Sequence, residues 1–492
     1  MLRLSQRLRA TTRLWQASRL VRPALTLVGG TAAAQAVVFA ARPLLTRLYS
    51  PEAFGILTVF TTVIAVGSTF ISGGYRFALL LPRHDDRAGG LLTLALGCAL
   101  GWALLAGLTG LGLSLTGSPL WDTAFWLLPP ALWLADSALS FDVWHTRYER
   151  FKLVSSIRIV QSLTVIGVQL GAGVLLAGSV QPTWGLVSGA TAGFTVAATA
   201  LGVWVFRNDR DAFAPLNLRF LRRLGWRYQR FPRYSAPAAL LNVAATRAPV
   251  FLLAAFFGSG VVGQFGIAYG TLALPIGLIT GSVSQVFFVR AAEATPSGSL
   301  AALTRDVLRG LWVVSLLPAL AVLVAGPALF SFVFGAVWAE AGLYAQYTAP
   351  WVLLAAVAAA LTPVFDVLER QRADFSFSVA MFVVQVSALI AASLLFEART
   401  VVLIAGLVGA TLRLGHLIWI LRLARVPLRA PVLDGIRSLL LTVPFAAVIA
   451  LAAWGEYGDA WVFAATIASG LAYGLLVVRK ELRTYAASAS TQ

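Results

Sequence analysis

The stretch Val401-Val-Leu-Ile-Ala-Gly-Leu-Val-Gly-Ala410 is apolar at every position. A strand of a transmembrane barrel alternates apolar and polar residues, whereas a helix satisfies its own backbone and can be apolar on every face in lipid. The stretch therefore predicts a membrane-spanning helix. The rest of the chain has the same character, since 59% of its 492 residues are hydrophobic, 12% are charged and the mean hydropathy is +0.82. This composition excludes an ordinary soluble enzyme.

Hydrophobic content also sets the expected number of helices. A helix needs roughly 20 apolar residues to cross a bilayer, so the hydrophobic total supplies about fourteen. The predicted fold is an all-α polytopic membrane protein with about 14 transmembrane helices. The apolar segments that we identify are residues 24–48, 55–81, 89–116, 122–144, 155–179, 184–206, 236–258, 261–289, 310–335, 343–367, 375–396, 400–421, 437–454 and 460–478.

The basic residues fall almost entirely on one side of this pattern. A net charge of +18 in a soluble chain would suggest a nucleic-acid partner, but here 32 of the 38 basic residues lie on the side that holds both chain ends. Only Arg47 and Arg399 fall on the opposite side, and the remaining four lie within apolar segments. By the positive-inside rule this predicts an even number of spans and cytoplasmic N- and C-termini.

Two basic stretches lie outside the segments. The first, Met1–Arg22, resembles a targeting presequence in composition, but we favour a cytoplasmic flank that lies on anionic headgroups because no convincing cleavage site follows it. The second, Arg207–Tyr234, is amphipathic, with leucines and arginines interspersed. This pattern predicts a linker on the membrane surface.

This linker divides the chain into comparable halves, which suggests an internal repeat. A shift of 208 positions aligns Leu48-Tyr-Ser-Pro-Glu-Ala-Phe-Gly55 with Phe256-Phe-Gly-Ser-Gly-Val-Val-Gly263, each in the first outward loop of a six-helix group. Both groups run in the same direction, so the predicted lobes are related by a pseudo-two-fold axis along the membrane normal. The predicted divisions are an N-terminal flank, an N-lobe, a linker, a C-lobe and a region of two additional helices with a short tail, at residues 1–23, 24–206, 207–235, 236–424 and 425–492.

The openings of the two lobes resemble a known family. The first lobe contains Leu27-Val-Gly-Gly-Thr-Ala-Ala-Ala-Gln35, Arg42-Pro-Leu-Leu-Thr-Arg-Leu-Tyr-Ser-Pro-Glu-Ala-Phe-Gly55 and Tyr75-Arg-Phe-Ala-Leu-Leu-Leu-Pro82, and the second opens with Phe231-Pro-Arg-Tyr-Ser-Ala-Pro-Ala-Ala-Leu-Leu-Asn242. These stretches resemble the Wzx-like oligosaccharide flippases of the multidrug/oligosaccharidyl-lipid/polysaccharide exporter superfamily.

The resemblance implies a V-shaped transporter of twelve or fourteen helices in a bacterial inner (plasma) membrane. It would move an undecaprenyl-pyrophosphate-linked oligosaccharide from the cytoplasmic to the outer leaflet by alternating access, for exopolysaccharide, O-antigen or lipopolysaccharide synthesis. The implied partners are this lipid-linked oligosaccharide, membrane lipids, and the polymerase and assembly proteins of polysaccharide synthesis, and no nucleic acid.

The arginines within the apolar segments are the candidate substrate ligands. A charge in hydrocarbon is costly and usually faces a cavity or a partner, and a guanidinium can donate two hydrogen bonds to one phosphate. Arg247 and Arg413 lie near mid-membrane, where we expect a cavity. For Arg42 and Arg76, contact with substrate and snorkelling to the headgroups stay equally open.

The other charged or titratable groups in the segments are candidates for charge pairing or coupling. Asp136 and Asp366 could neutralise arginines across the bundle, and His416 could serve in proton coupling, although a packed, hydrogen-bonded histidine is the favoured interpretation. Cys98 is the single cysteine, and the three histidines lack metal-ligand spacing. Since no phosphate-cradling loop or nucleophile elbow is found, we expect no catalysis, metal or cofactor.

Two other functions compete with the flippase. A multidrug antiporter of the same superfamily would export organic cations and would need acids or aromatic faces in its cavity. A membrane-embedded polymerase or ligase would be expected to carry a large outward loop, whereas the outward connections here are short. The surplus of intramembrane arginine favours an anionic substrate.

Overall fold

The computed structural model describes residues 29–115, 123–175, 183–213, 217–455 and 457–481. Within these ranges the chain is built from helices and contains no strand. The flank predicted at 1–23 lies outside the described residues, as does most of the C-terminal tail. An all-α membrane protein, as predicted, is confirmed.

The helices divide between two compact units, the first comprising Met1–Tyr49 and Leu57–Arg247 and the second Ser50–Ile56 and Ala248–Gln492. In chain order the helices up to the linker are α1 (29–48), α2 (Pro51–Phe70), α3 (Tyr75–Ala78), α4 (Asp85–Leu115), α5 (Leu128–Arg147), α6 (Phe151–Leu175), α7 (Thr183–Asn208) and α8 (Leu218–Arg227). The remainder are α9 (Ala236–Ser297), α10 (Leu300–Phe334), α11 (Ala339–Leu361), α12 (Pro363–Val367), α13 (Gln371–Leu395), α14 (Ala398–Leu423), α15 (Arg429–Trp454) and α16 (Asp459–Tyr473).

Within the described ranges, eleven helices are long and apolar enough to cross a membrane. Each of the fourteen predicted segments overlaps a described helix, but α1 and α5 are not among the eleven. Two predicted segments fall on α9, which consists of two helices that meet at Gly258, where φ is 80° and ψ is −178°. Glycine tolerates this backbone geometry, so the break follows from the residue type. The count of fourteen stays a prediction.

The first unit is held at one end by a cluster around the corner between α5 and α6. Arg150 donates to both carboxylate oxygens of Asp209, at 2.7 and 3.0 Å, and its guanidinium lies 3.8 Å from the ring centroid of Trp204. Trp144 donates to the same carboxylate at 2.8 Å. Burial opposes ionisation of Asp209, but the hydrogen bonds from Arg150 and Trp144 outweigh it and hold its pKa below the ordinary value. These contacts hold the start of α6 against the end of α7.

In the second unit, the two additional helices α15 and α16 are fastened to α10. The Tyr473 hydroxyl donates to the Val313 carbonyl at 2.7 Å. Asp434 accepts from Arg305 at 2.7 Å, and Glu481 accepts from both Arg309 and Arg437. These bonds join residues far apart in sequence, so both helices are integral to this unit.

The aligned stretches of the repeat meet within the second unit. A Cβ placed on Gly55 would collide with the carbonyl oxygen of Ser259, and a Cβ placed on Gly263 would collide with the carbonyl oxygen of Pro51. Pro51 and Ser259 are themselves related by the shift of 208 that relates the two glycines. The contact is therefore reciprocal, with a glycine at the closest approach on each helix, as is typical of close helix packing in membranes. The parallel repeat stays a prediction.

Candidate anion-binding arginines

Arg42 lies in α1, the first described helix. Its Nη1 is completely buried and has no hydrogen-bond partner among the described residues. A buried guanidinium nitrogen without an acceptor is unfavourable. Snorkelling would bring the charged end of the side chain to water, and this nitrogen does not reach water. An added oxygen acceptor, such as one from a phosphate, would satisfy it.

Arg76 differs because it has a carboxylate partner inside the protein. It is 7% exposed, and its Nη1 donates to Asp136 Oδ1 at 3.0 Å. Asp136 is fully buried, and the hydroxyls of Ser72 and Ser140 flank it. Arg76, a predicted substrate ligand, is thus paired with Asp136, a predicted neutralising acid. This ion pair already occupies one nitrogen of the Arg76 guanidinium.

The predicted pair Arg247 and Arg413 lie in different units and in different surroundings. Arg247 is exposed on α9. Arg413 is partly buried on α14, near the Tyr269 hydroxyl and the Asp374 carboxylate. No ion pair joins either arginine to an acid in the part of the chain that the structure describes.

His416 is held on both ring faces and at one ring nitrogen. Its Nε2 lies 3.1 Å from Asp374 Oδ1, and its ring stacks on Phe377 and Phe365 at centroid distances of 5.1 and 5.6 Å. The side chain is 3% exposed. Because the Asp374 carboxylate also interacts electrostatically with Arg413, we group these three residues as one polar cluster within the second unit.

Some functional groups were missed or placed differently by the sequence. Asp374 is not among the residues that the sequence singled out: it directly precedes the predicted segment 375–396, whereas α13 begins at Gln371. The sequence feature that could have identified Asp374 is its position directly before an apolar segment. Asp366, predicted to neutralise an arginine, is exposed and has no ion pair within the described ranges. Asp142 instead pairs with Arg158 at 2.9 Å.

The described residues contain no group of three or more His, Cys, Asp or Glu side chains that could hold a metal ion. Of the four arginines within the predicted segments, Arg76 is paired with a carboxylate, and Arg42, Arg247 and Arg413 have no ion pair among the described residues.

Comparison with solved structures defines the class of fold. A structure titled "Lipid II flippase MurJ, inward closed conformation" has a TM-score of 0.66 at 12% identity, with 92% of this chain and 99% of that chain covered. An inward-facing multidrug resistance MATE family transporter of the MOP superfamily has a TM-score of 0.56 at 13% identity, covering 83% and 98% of the two chains. A MOP superfamily transporter from Pyrococcus furiosus, whose title describes a binding pocket of reverse polarity, has a TM-score of 0.53 at 12% identity, covering 82% and 95%. The fold is that of this transporter superfamily.

The chain belongs to the polysaccharide biosynthesis protein family, whose model matches residues 44–342. The predicted resemblance to oligosaccharide flippases of the superfamily is thereby confirmed. No curated protein sequence matches the chain.

Proposed function

We propose that this protein is a flippase for undecaprenyl-pyrophosphate-linked oligosaccharide repeat units. It carries them by alternating access from the cytoplasmic to the outer leaflet of a bacterial inner membrane, with both termini cytoplasmic, for surface or exopolysaccharide synthesis. The observation that carries the proposal is that Arg42 and Arg413, both within apolar segments of the sequence, are partly buried and form no ion pair among the described residues. Membership of the polysaccharide biosynthesis family and the fold of a lipid II flippase support it.

A pyrophosphate headgroup needs this kind of site. Its charges lose their hydration in hydrocarbon, and the loss must be offset by donors in the protein. Arginine keeps its charge at any physiological pH and can donate two parallel hydrogen bonds to one phosphate. The long lipid tail can stay in the bilayer while the headgroup crosses.

The competing function, export of organic cations, needs carboxylates that are free to meet a cation. Among the described residues, Asp136 is held by Arg76 and Asp142 by Arg158. These two acids are thus neutralised by arginines of the protein, whereas Asp366 is exposed and has no ion pair within the described ranges. This favours an anionic substrate over a cationic one.

Depletion of the protein tests the function directly. We expect a surface or secreted polysaccharide to diminish and its lipid-linked repeat unit to accumulate, measured by mass spectrometry of extracted lipid-linked sugars. If both stay unchanged while sensitivity to cationic dyes rises, the drug antiporter is the correct function. Increased lipid-linked repeat unit that has already reached the outer leaflet would instead indicate a polymerase or ligase.

Replacing Arg413 tests the role of an unpaired arginine. We expect Arg413→Ala to lower transport about 100-fold, because a charged hydrogen-bond pair in a shielded site contributes roughly 1.5–3 kcal/mol. Arg413→Lys keeps the charge but loses the planar fork, so transport should recover only in part. Transport is measured as the outer-leaflet fraction of lipid-linked sugar in cells that express each variant.

The matched control is Arg399→Ala, which removes an exposed arginine at the start of the same helix, paired with Glu340 at 3.0 Å. We expect normal transport from this control. Normal transport by Arg413→Ala would exclude the residue from substrate binding.

A further inference from the structure

The short helix α8 has two faces with different environments. On one face, Leu224 is 4% exposed and belongs to a core cluster with residues of α4, including Leu91 and Leu92. The Asn217 side chain caps its start by accepting from the Phe220 N–H at 2.8 Å. The helix is therefore packed against the first unit through this face, and its opposite face is exposed.

The opposite face carries a stripe of arginines around a tryptophan, formed by Arg219, Arg222, Arg223 and Trp226. These residues follow the spacing i, i+3, i+4 and i+7, so they share one side of the helix. All four are exposed, and they line one shallow concavity together. Leu218, 82% exposed, continues the same side at the start of the helix.

This stripe has no carboxylate partner among the described residues. None of the three arginines forms an ion pair with an acid within the described ranges, and the only acid between Arg210 and Arg233 in the sequence is Asp211. If these arginines served to bind another part of the protein, we would expect carboxylates opposite them. The unbalanced positive charge therefore indicates an anionic partner.

We propose that the outward face of α8 binds the headgroups of acidic phospholipids. Guanidinium groups match phosphate oxygens in geometry and charge, and an exposed tryptophan and leucine between and beside them suit the boundary between headgroups and acyl chains. A nucleic acid or an acidic peptide would use the arginines but would leave Leu218 in water. The combination of charge and apolar side chains thus favours a lipid surface.

The test measures which lipid lies beside α8 in the full-length protein. A fluorophore is attached at Leu218→Cys in a Cys98→Ala background, and the protein is placed in nanodiscs of phosphatidylcholine and phosphatidylglycerol. In one set the phosphatidylglycerol carries brominated acyl chains that quench the fluorophore, and in the other set the phosphatidylcholine carries them at the same mole fraction. We expect quenching to report a preference for phosphatidylglycerol of at least about tenfold.

The variant Arg219→Gln/Arg222→Gln/Arg223→Gln should bring this preference close to one. Each arginine near an acidic bilayer contributes about fivefold to binding, and three such losses exceed the expected preference. The matched control Arg290→Gln/Arg370→Gln/Arg372→Gln removes three exposed arginines elsewhere and should keep the preference. Since all six side chains are exposed, both variants should fold, which thermal denaturation checks.

Equal quenching by the two lipids would overturn the proposal, as would an equal loss of preference in the control variant. Absence of quenching by either lipid would show that the stripe lies away from the bilayer and meets another kind of partner. The measurement does not depend on transport, so its failure leaves the proposed flippase function untouched.

Discussion

Arg76→Met is expected to destabilise the protein by about 3–5 kcal/mol, the range found when one member of a buried ion pair is removed. The substitution removes the charged hydrogen-bond donor that the described residues supply to the fully buried Asp136. The carboxylate must then stay charged in an apolar site or take up a proton, and either outcome raises the free energy of the folded state. The loss is measured as a fall in thermal stability of the purified protein in nanodiscs.

Two variants separate this effect from simple loss of an arginine. The double variant Arg76→Met/Asp136→Leu removes both charges and should recover most of the stability, since apolar replacement of a buried pair is often neutral. Arg42→Met removes a guanidinium whose Nη1 lacks a partner among the described residues, so it should not destabilise the protein, although transport should fall. Equal destabilisation by Arg76→Met and Arg42→Met would show that the ion pair does not stabilise the fold.

Gly263→Val is expected to destabilise the protein by about 3 kcal/mol or more, at the upper end of the range for overpacking. The new Cβ would collide with the carbonyl oxygen of Pro51, and backbone cannot move aside as a flexible side chain can. The two helices would have to separate and lose their close packing. The measurement is again thermal stability, with the yield of folded protein as a second readout.

Position 281 supplies the control for this substitution. Gly281 lies in the same helix α9, and a Cβ there would meet nothing within 4 Å. Gly281→Ala should therefore be neutral or slightly stabilising, because alanine favours the helix more than glycine does. Gly55→Ala should destabilise, since it meets the equivalent obstacle at Ser259. A stable Gly263→Val protein would mean that the crossing is looser than described.

The helical architecture could be predicted from the sequence because each membrane helix depends on residues that are contiguous in the chain. Membrane helices need long apolar runs, and each such run in this chain overlaps a described helix. The predicted boundary at residues 259–260 lies directly beside Gly258, where two helices meet at a non-helical backbone conformation. Glycine adopts that conformation readily, so the break between the two apolar segments is also local in origin.

The partners of the charged residues were much harder to predict. Arg76 and Asp136 are 60 positions apart, and His416 and Asp374 are 42 apart, so helix packing and not sequence spacing brings each pair together. The sequence identified Arg76 and Arg42 as equivalent candidates. Only the three-dimensional arrangement shows that one has a carboxylate beside it and the other has a buried nitrogen without a described acceptor.

The reciprocal crossing of Gly55 and Gly263 has the symmetry of an isologous dimer interface. In such an interface the same patch of two identical subunits meets itself, so that residue i contacts j while j contacts i. Here position 55 meets 259 while position 263 meets 51, which is that pattern within one polypeptide. Each glycine of the crossing therefore has its equivalent in the other helix, so that a substitution at either position obstructs the same interface from opposite sides.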